Sequence, residues 1–310
     1  MRRIEYDRYG GPELMHLSTF TAPEVGMGEI LVQVEAASIN PVDWGIRRGK
    51  MKIITGSAFP RVMGKDFAGT IVQVGAQVAG WAIGDAVLGC VPWKRTGSFS
   101  QLAVVEPHDI VRKPESLSFE QAAALPTVGL TAWHGLVDQA KLRPGQTVLV
   151  NGAAGGVGTA AIQIAHALGA QVVARVGRRS FDNMTRMGVS DVLDYRESLP
   201  ATLNRSFDVV VDCNGSLTGR EIDRLLKRGG TAVDITYRLA KILRSLTLRR
   251  QKLASGMVDH ETLLAVADLA ASGQLTPHIG AVVTLDEAIA LVTRLEAGER
   301  IDGKAVILLT

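Results

Sequence analysis

Two domains in one α/β chain, the first mostly β and the second a doubly wound parallel sheet, follow from three features of the sequence. These are a length of 310 residues, a change of texture near Ser118, and the string NGAAGGVGTAAIQIAHALGA from Asn151 to Ala170. The length exceeds the usual single-domain size, and 46% hydrophobic against 21% charged residues supports a sizeable core. Before Ser118, short β-branched runs such as EILVQVEAASI and GTIVQVGAQV alternate with Gly, Pro and Asp turns, the pattern of a compact antiparallel barrel or sandwich. After it, TVLVNGA, QVVARVG, DVLDYRE, FDVVVDCNG and GGTAVDITY read as strands, with helical patterns between several of them. The carboxyl end, from Thr276, reads strand, helix, strand and is expected to return to the first domain.

Composition narrows the function. The net charge of +3, from 34 basic and 31 acidic residues, falls short of the basic excess that a phosphate backbone favours, so no nucleic-acid partner is expected. Cys90 and Cys213 are too few and too far apart for a zinc knuckle or a secreted disulfide scaffold, and a reducing cytoplasmic setting is expected. The start, MRRIEYDRYGGPELMHL, lacks the apolar core of a secretion signal, and no run approaches membrane-spanning length, so no membrane partner is expected. His16, His108, His134, His166, His260 and His278 are scattered without metal spacing, and no serine sits in a nucleophile elbow, which leaves hydrolysis unsupported.

The glycine string gains meaning from its surroundings. TVLV supplies a buried strand ending at Val150, and Val157, Ala161, Ile164, Ala165 and Leu168 then fall on one helical face, with Gly169 as the stop. The register Ala153-x-Gly155-x-x-Gly158 matches a dinucleotide fingerprint with Ala at its first glycine position. Gly155 lets the backbone approach a pyrophosphate, Gly158 lets helix and strand pack closely, and the amides of the loop Ala154, Gly155, Gly156 and Val157 face the anion at the helix start. A tight strand-to-helix turn without a ligand is the plainer alternative. Beyond the second strand stand Gly177, Arg178 and Arg179, with no carboxylate before Asp182. Paired guanidinium groups grip a phosphate, whereas a ribose 2′-hydroxyl calls for an acid, so NADP(H) is favoured over NAD(H) unless the arginines are a solvated loop pair.

Several segments in order carry a family resemblance: YGGPELMHL, INPVDWGIRRG, MGKDFAGTIVQVGAQVAGWAIGDAVLG, LPTVGLTAWHGL, the glycine string itself, DVLDYRE and LEAGERIDGKAVIL. On these the chain resembles the medium-chain dehydrogenase/reductase superfamily and, within it, the zinc-free NADPH:quinone oxidoreductase branch related to zeta-crystallin. The resemblance implies a GroES-like domain over residues 1–122 and 276–310, a Rossmann NADP-binding domain over 123–275, and a cleft between them. It also implies that Tyr195 lies with Arg178 against the adenosine ribose phosphate and Thr131 lies beside the nicotinamide. By the same resemblance Asn214 with Gly215, and Ile235 with Thr236, edge the nicotinamide ribose.

In zinc-dependent relatives a Cys and a Gly-His-Glu triplet stand where this chain has Asn40 and Gly64-Lys65-Asp66. Amide and ammonium are poor substitutes for thiolate and imidazole, and two cysteines cannot build a four-cysteine lobe, so no metal is expected. Hydride transfer then needs an acceptor already electrophilic, and quinones and activated enones fit. For such acceptors Asn40 is a candidate donor to the developing oxyanion, Trp44 a stacking wall and Lys65 a positive charge. Plainer roles stay open: Asn40 as a turn residue before Pro41, Trp44 as core filling, and Lys65 facing solvent or paired with Asp66. Two alternatives accompany this reading. One is an enoyl-thioester reductase, opposed by the lack of a tyrosine between Asn40 and Gly69; the other is an NADPH-binding structural or regulatory protein with little turnover. Leu239, Ile242, Leu243 and Leu246 recur at helical spacing among basic residues, yet LTLRRQKL resembles an edge strand that pairs with a second subunit, so a homodimer is expected.

Overall fold

The alternation of β-branched and turn residues before Ser118 yields short strands: β1 (Arg2–Tyr6), β2 (His16–Thr19), β3 (Ile30–Ile39), β4 (Arg61–Val62), β5 (Asp66–Val74), β6 (Ala86–Cys90), β7 (Leu102–Val105) and β8 (Ile110–Arg112). The computed structural model that shows them describes residues 1–92, 97–236, 250–254, 256 and 258–309. β1 pairs antiparallel with β2 and β4, while β3, β5, β6 and β8 form a continuous antiparallel run with β7 also on β3. Side chains alternate across β3 and β5, so Ile30, Val32, Val34, Phe67 and Ile71 enter one core. The register does a second job at the end of these strands: Ser38 stands opposite Asp66, and Asp66 opposite Cys90. Three polar side chains thus lie in a row across three strands.

The later strands are β9 (Thr147–Asn151), β10 (Gln171–Val176), β11 (Asp191–Asp194), β12 (Phe207–Asp212), β13 (Leu226–Asp234) and β14 (Gln251–Leu253). They form one parallel sheet in the order β11-β10-β9-β12-β13-β14, with Leu149, Val173, Phe207 and Val210 in its core. The order reverses at β9, so the crevice beyond the carboxyl ends of β9 and β12 is the topological switch point where doubly wound sheets bind ligands. The helix Gly156–Ala167 follows β9, and Gly169 ends it with φ of +74°. Its buried face differs from the expected one: Ala160, Ala161, Ile162, Ile164 and Ala165 are buried, whereas Val157 and Leu168 are only half-buried. Gly158, close against the Gly152 carbonyl and Ala153, lies on the buried side with Ala161, Ile162 and Ala165.

The carboxyl-terminal segment forms β15 (Ile279–Thr284), the helix Leu285–Glu296 and β16 (Lys304–Leu308), with β16 parallel to β15 and antiparallel to β3. Leu285, Ala288, Leu291 and Val292 give the helix its buried stripe. Glu287 accepts from the Thr284 backbone and hydroxyl at its start, and the buried Arg47 guanidinium pairs with Glu296 at its end. Two compact units result, one of residues Met1–Thr127, Val258–Ala271 and Pro277–Thr310, the other of Val128–Met257 and Ser272–Thr276. The expected helical stretch with Leu239, Ile242, Leu243 and Leu246 lies outside the described residues. Of LTLRRQKL, Gln251–Leu253 form β14, the end strand of the parallel sheet. Among the described residues no helix is long and apolar enough to cross a membrane.

Candidate active site

The first unit gathers its chemistry around Asp66, which is fully buried at the start of β5. Its Oδ2 accepts from Asn40 Nδ2 at 2.9 Å, the Thr127 backbone at 3.1 Å and Ser38 Oγ at 3.3 Å. Its Oδ1 accepts from Thr127 Oγ1 at 2.6 Å and the Cys90 thiol at 3.1 Å. Asn40 is placed by the turn into the helix Pro41–Arg47, where Asp43 Oδ2 accepts from its backbone at 2.7 Å. Lys304, the first residue of β16, donates to Asn40 Oδ1 at 2.5 Å and to the Ile39 carbonyl at 3.0 Å. A buried charge cluster persists only when its members satisfy one another, and these do so with short, charge-assisted bonds.

Burial sets the protonation tendencies here. Desolvation pushes the Asp43 carboxyl up to about 7, against the lowering effect of the Asn40 backbone N–H. Desolvation raises the Cys90 thiol well above its ordinary value, with the Asp66 charge adding to it, and lowers the Lys304 ammonium despite Asp66 and Asp43. The Cys213 thiol, in the second unit, is likewise pushed up by burial.

The positions named from sequence sort differently once placed. Asn40 is only 2% exposed, and its amide protons go to Asp66 and to the Ser38 carbonyl and hydroxyl, so in this arrangement it holds Asp66 and faces inward. Lys65 is also buried and donates to the Val91 carbonyl at 2.8 Å. Trp44 packs against the hydrophobic core of its unit. Asp66, Thr127, Cys90 and Lys304 were not singled out as site residues from the sequence. Asp66 was signalled by the Gly64-Lys65-Asp66 triplet and Lys304 by the closing Gly303-Lys304 pair, but their meeting depends on strand register.

The second unit is open where the first is closed. Gly155 caps the helix Gly156–Ala167 with no side-chain hydrogen bond, so the first-turn amides have no intrahelical acceptor. A Cβ on Gly155 would meet only the Gly152 carbonyl, at an ordinary 3.5 Å, whereas one on Gly158 would fall 2.5 Å from the Gly152 oxygen and 2.6 Å from Ala153 Cα. In the loop of Ala154, Gly155, Gly156 and Val157, Gly155 is exposed and the others are half-buried, and Gly158 is the close contact with the strand end. Below lies a buried network: Asn151 Nδ2 donates to Asp212 Oδ1 at 2.7 Å and to Asn214 Oδ1 at 2.9 Å, and Asp212 accepts from the Gly215 and Leu217 backbones. Beside it, Asp234 Oδ1 accepts from the Thr236 backbone and hydroxyl, which fixes the turn after Ile235. Thr131, 7% exposed, lies in the helix Pro126–Trp133.

Gly177, Arg178 and Tyr195 come together at the ends of β10 and β11. A Cβ on Gly177 would stand 2.9 Å from the Tyr195 ring, so glycine is what lets the ring lie against this turn. Arg178 is exposed and bonded to Asp194 at 3.3 Å and Glu197 at 3.1 Å, while Arg179 is exposed. Val176 pairs with Asp194 across the strands, so a carboxylate does stand near the end of the second strand, contributed by the third.

A β-rich unit joined to a parallel sheet of reversed order, with a bare glycine cradle at its switch point, is the build of a two-domain dehydrogenase or reductase. Comparison narrows this class. Residues 26–115 match the alcohol dehydrogenase GroES-like domain, and residues 187–307 match the zinc-binding dehydrogenase family. The quinone oxidoreductase of Coxiella burnetii superposes with a TM-score of 0.91 at 30% identity, covering 100% of this chain and 99% of that one. The Escherichia coli quinone oxidoreductase complexed with NADPH gives 0.84 at 27% identity, with 100% of both chains covered. The 2-methylene-furan-3-one reductase of Solanum lycopersicum is 36% identical over 76% of this chain and 62% of its own. The chain belongs to the medium-chain dehydrogenase/reductase superfamily, in its zinc-free quinone oxidoreductase branch, and is an oxidoreductase of that type.

One family model carries zinc in its name, and the donor chemistry here does not suit that ion. Around Asn40 and Asp66 the available groups are an amide, two ammonium groups, a thiol held protonated, and a carboxylate whose oxygens already accept from Ser38, Asn40, Cys90 and Thr127. Among the described residues no group of three or more His, Cys, Asp or Glu could hold a metal.

Proposed function

We propose that this enzyme is an NADPH-dependent reductase of quinones or similarly activated α,β-unsaturated carbonyls that works without a metal. The observation that carries the reading is the first helical turn after Gly155, which no side chain caps and which follows β9 at the switch point of the sheet. When bound, NADPH supplies the hydride from its nicotinamide C4. The amides of Gly156 and Val157 at the helix start hold the pyrophosphate, with Ala154 and Gly155 lining the approach; the Gly155 amide itself donates to the Gly152 carbonyl at 3.2 Å, and the absence of a side chain there lets the anion come close. Arg178 and Arg179 take the 2′-phosphate, and the Tyr195 ring covers the adenosine ribose beside them. Thr131, the Asn214–Gly215 turn and the Ile235–Thr236 turn position the nicotinamide end. In the first unit Trp44 walls the acceptor, and the Asn40–Asp66 cluster with Lys65 fixes the frame around it. The NADPH complex of the E. coli relative and the enone-type substrate named for the tomato relative support the choice of cofactor and acceptor class.

The test is NADPH consumption, followed by the loss of reduced-nicotinamide absorbance, with 1,4-benzoquinone, 9,10-phenanthrenequinone or crotonyl-CoA as acceptor. Turnover of the quinones is expected. Turnover of crotonyl-CoA alone would replace the reading with an enoyl-thioester reductase, and tight NADPH binding without any turnover would replace it with a non-enzymatic role. We further propose a homodimer formed through the β14 end of the parallel sheet, since LTLRRQKL resembles the edge strand by which relatives pair with a second subunit. Sedimentation velocity at micromolar concentration checks it, and a monomer alone would remove it.

A further inference from the structure

The Gly303-Lys304 pair of the closing sequence plays no part in the reading above, yet the Lys304 ammonium sits at the centre of the first unit. It is 7% exposed and bonds to Asn40 Oδ1 and the Ile39 carbonyl, more than 260 residues away in the chain, as their separations of 264 and 265 record. An asparagine amide can be turned over with little change of shape, and what fixes its sense is the chemistry at each end. Here a cation that only donates faces Oδ1, and a carboxylate that only accepts faces Nδ2. The orientation is therefore doubly determined. Asp66, so held, accepts from both the backbone N–H and the hydroxyl of Thr127, the second residue of the helix Pro126–Trp133. That helix carries Thr131 one turn further on.

We propose that Lys304 is a positioning residue for hydride transfer. Through Asn40 and Asp66 it sets the first turn of the Pro126–Trp133 helix and hence the placement of Thr131. The final strand thus acts as the peg of the site, and the inference rests on the reading of Thr131 as a contact of the nicotinamide. Loss of the ammonium leaves Asn40 Oδ1 and the Ile39 carbonyl buried without their donor and removes the positive charge beside Asp66 and Asp43. Small displacements of a reacting pair cost about a hundredfold per ångström, so the effect belongs in the rate more than in binding.

The experiment compares wild type with Lys304→Met and Lys304→Arg, using NADPH and NADPH deuterated on the transferred face of C4. Lys304→Met is expected to lower kcat by about 10–100-fold while the NADPH Kd moves by less than about threefold, because binding is made elsewhere. The primary isotope effect on kcat should rise as hydride transfer becomes slower, and Lys304→Arg, which keeps the cation, should recover part of the rate. Wild-type kcat and isotope effect in Lys304→Met would overturn the proposal, as would a fall in kcat that tracks loss of NADPH binding. If Lys304→Met fails to fold, the same readouts on Lys304→Arg decide, and a wild-type kcat with a wild-type isotope effect in Lys304→Arg overturns it. The side-chain amide resonances of Asn40 provide a readout free of turnover: they should shift in either variant, and unshifted resonances refute the positioning. An enzyme inactive with every acceptor would sink the proposed function, and these resonances would still decide whether Lys304 orders Asn40.

Discussion

Asp66 and Asp194 are both buried carboxylates at strand ends, and both are tied to neighbours, yet their partners live in opposite settings. Asp66 is fully buried and takes donors from β3, from β6 and from the first turn of the Pro126–Trp133 helix. Asp194 holds an Arg178 whose side chain is 73% exposed and shared with Glu197 in open solvent. Bonds in the first setting have no competing water, so the geometry is set at folding. Bonds in the second exchange readily, which under the proposed NADPH reading leaves the guanidinium available to the cofactor's phosphate. One region is built to stay fixed, the other to change partners.

The sharpest way to break this contrast is Gly158→Val. Its side chain would collide with the backbone of Gly152 and Ala153, and we expect a loss of about 4 kcal/mol in urea unfolding together with abolished NADPH binding. Tolerance of valine would mean that the loop is as adaptable as the arginine pair beyond it. Next comes Asp43, in the closed region. At low pH its carboxyl is protonated in folded and unfolded chains alike and contributes nothing. Between its ordinary value of 3.8 and about 7 the folded chain holds the extra proton, so stability falls as pH rises through this window. Above it the whole penalty of the buried charge remains, and Asp43→Asn should flatten the pH profile of the unfolding midpoint, removing a slope worth roughly 2–4 kcal/mol. A profile that keeps its slope would show that Asp43 is not the group responsible.

Smaller effects probe the open region. Arg178→Ala with Arg179→Ala should weaken NADPH by about 10–100-fold in a fluorescence titration while NADH changes by less than about threefold. Equal losses for both cofactors would place the phosphate elsewhere. Glu197→Gln frees one side of Arg178 and should tighten NADPH by only about two- to threefold, the worth of an exposed pair. A larger gain would show that the latch is as strong as a buried bond and would erase the contrast.

How much of this was readable in advance differs between the same two regions. The glycine string and Arg178 drew attention as local patterns, a strand, a glycine spacing, a helix face and a loop after the next strand, whereas Tyr195 entered only through the family resemblance. The buried cluster was visible only in part. Asn40 and Lys65 drew attention as metal-ligand replacements, but their amide and ammonium groups turn inward, and neither direction is written in the residues around them. Asp194 was likewise taken as part of a strand, because its nearness to Val176 is a matter of parallel pairing.

Periodicity, turn chemistry and glycine spacing by themselves determined the fold class, the order of strands and helices in the second unit, and the loop that faces the crevice, since all of these depend on neighbours along the chain. Only the tertiary structure decided that Lys304, Asn40, Asp66, Cys90 and Thr127 share one buried cluster. That meeting depends on strand register between segments far apart in sequence, where a slip of one residue would turn each side chain to the other face.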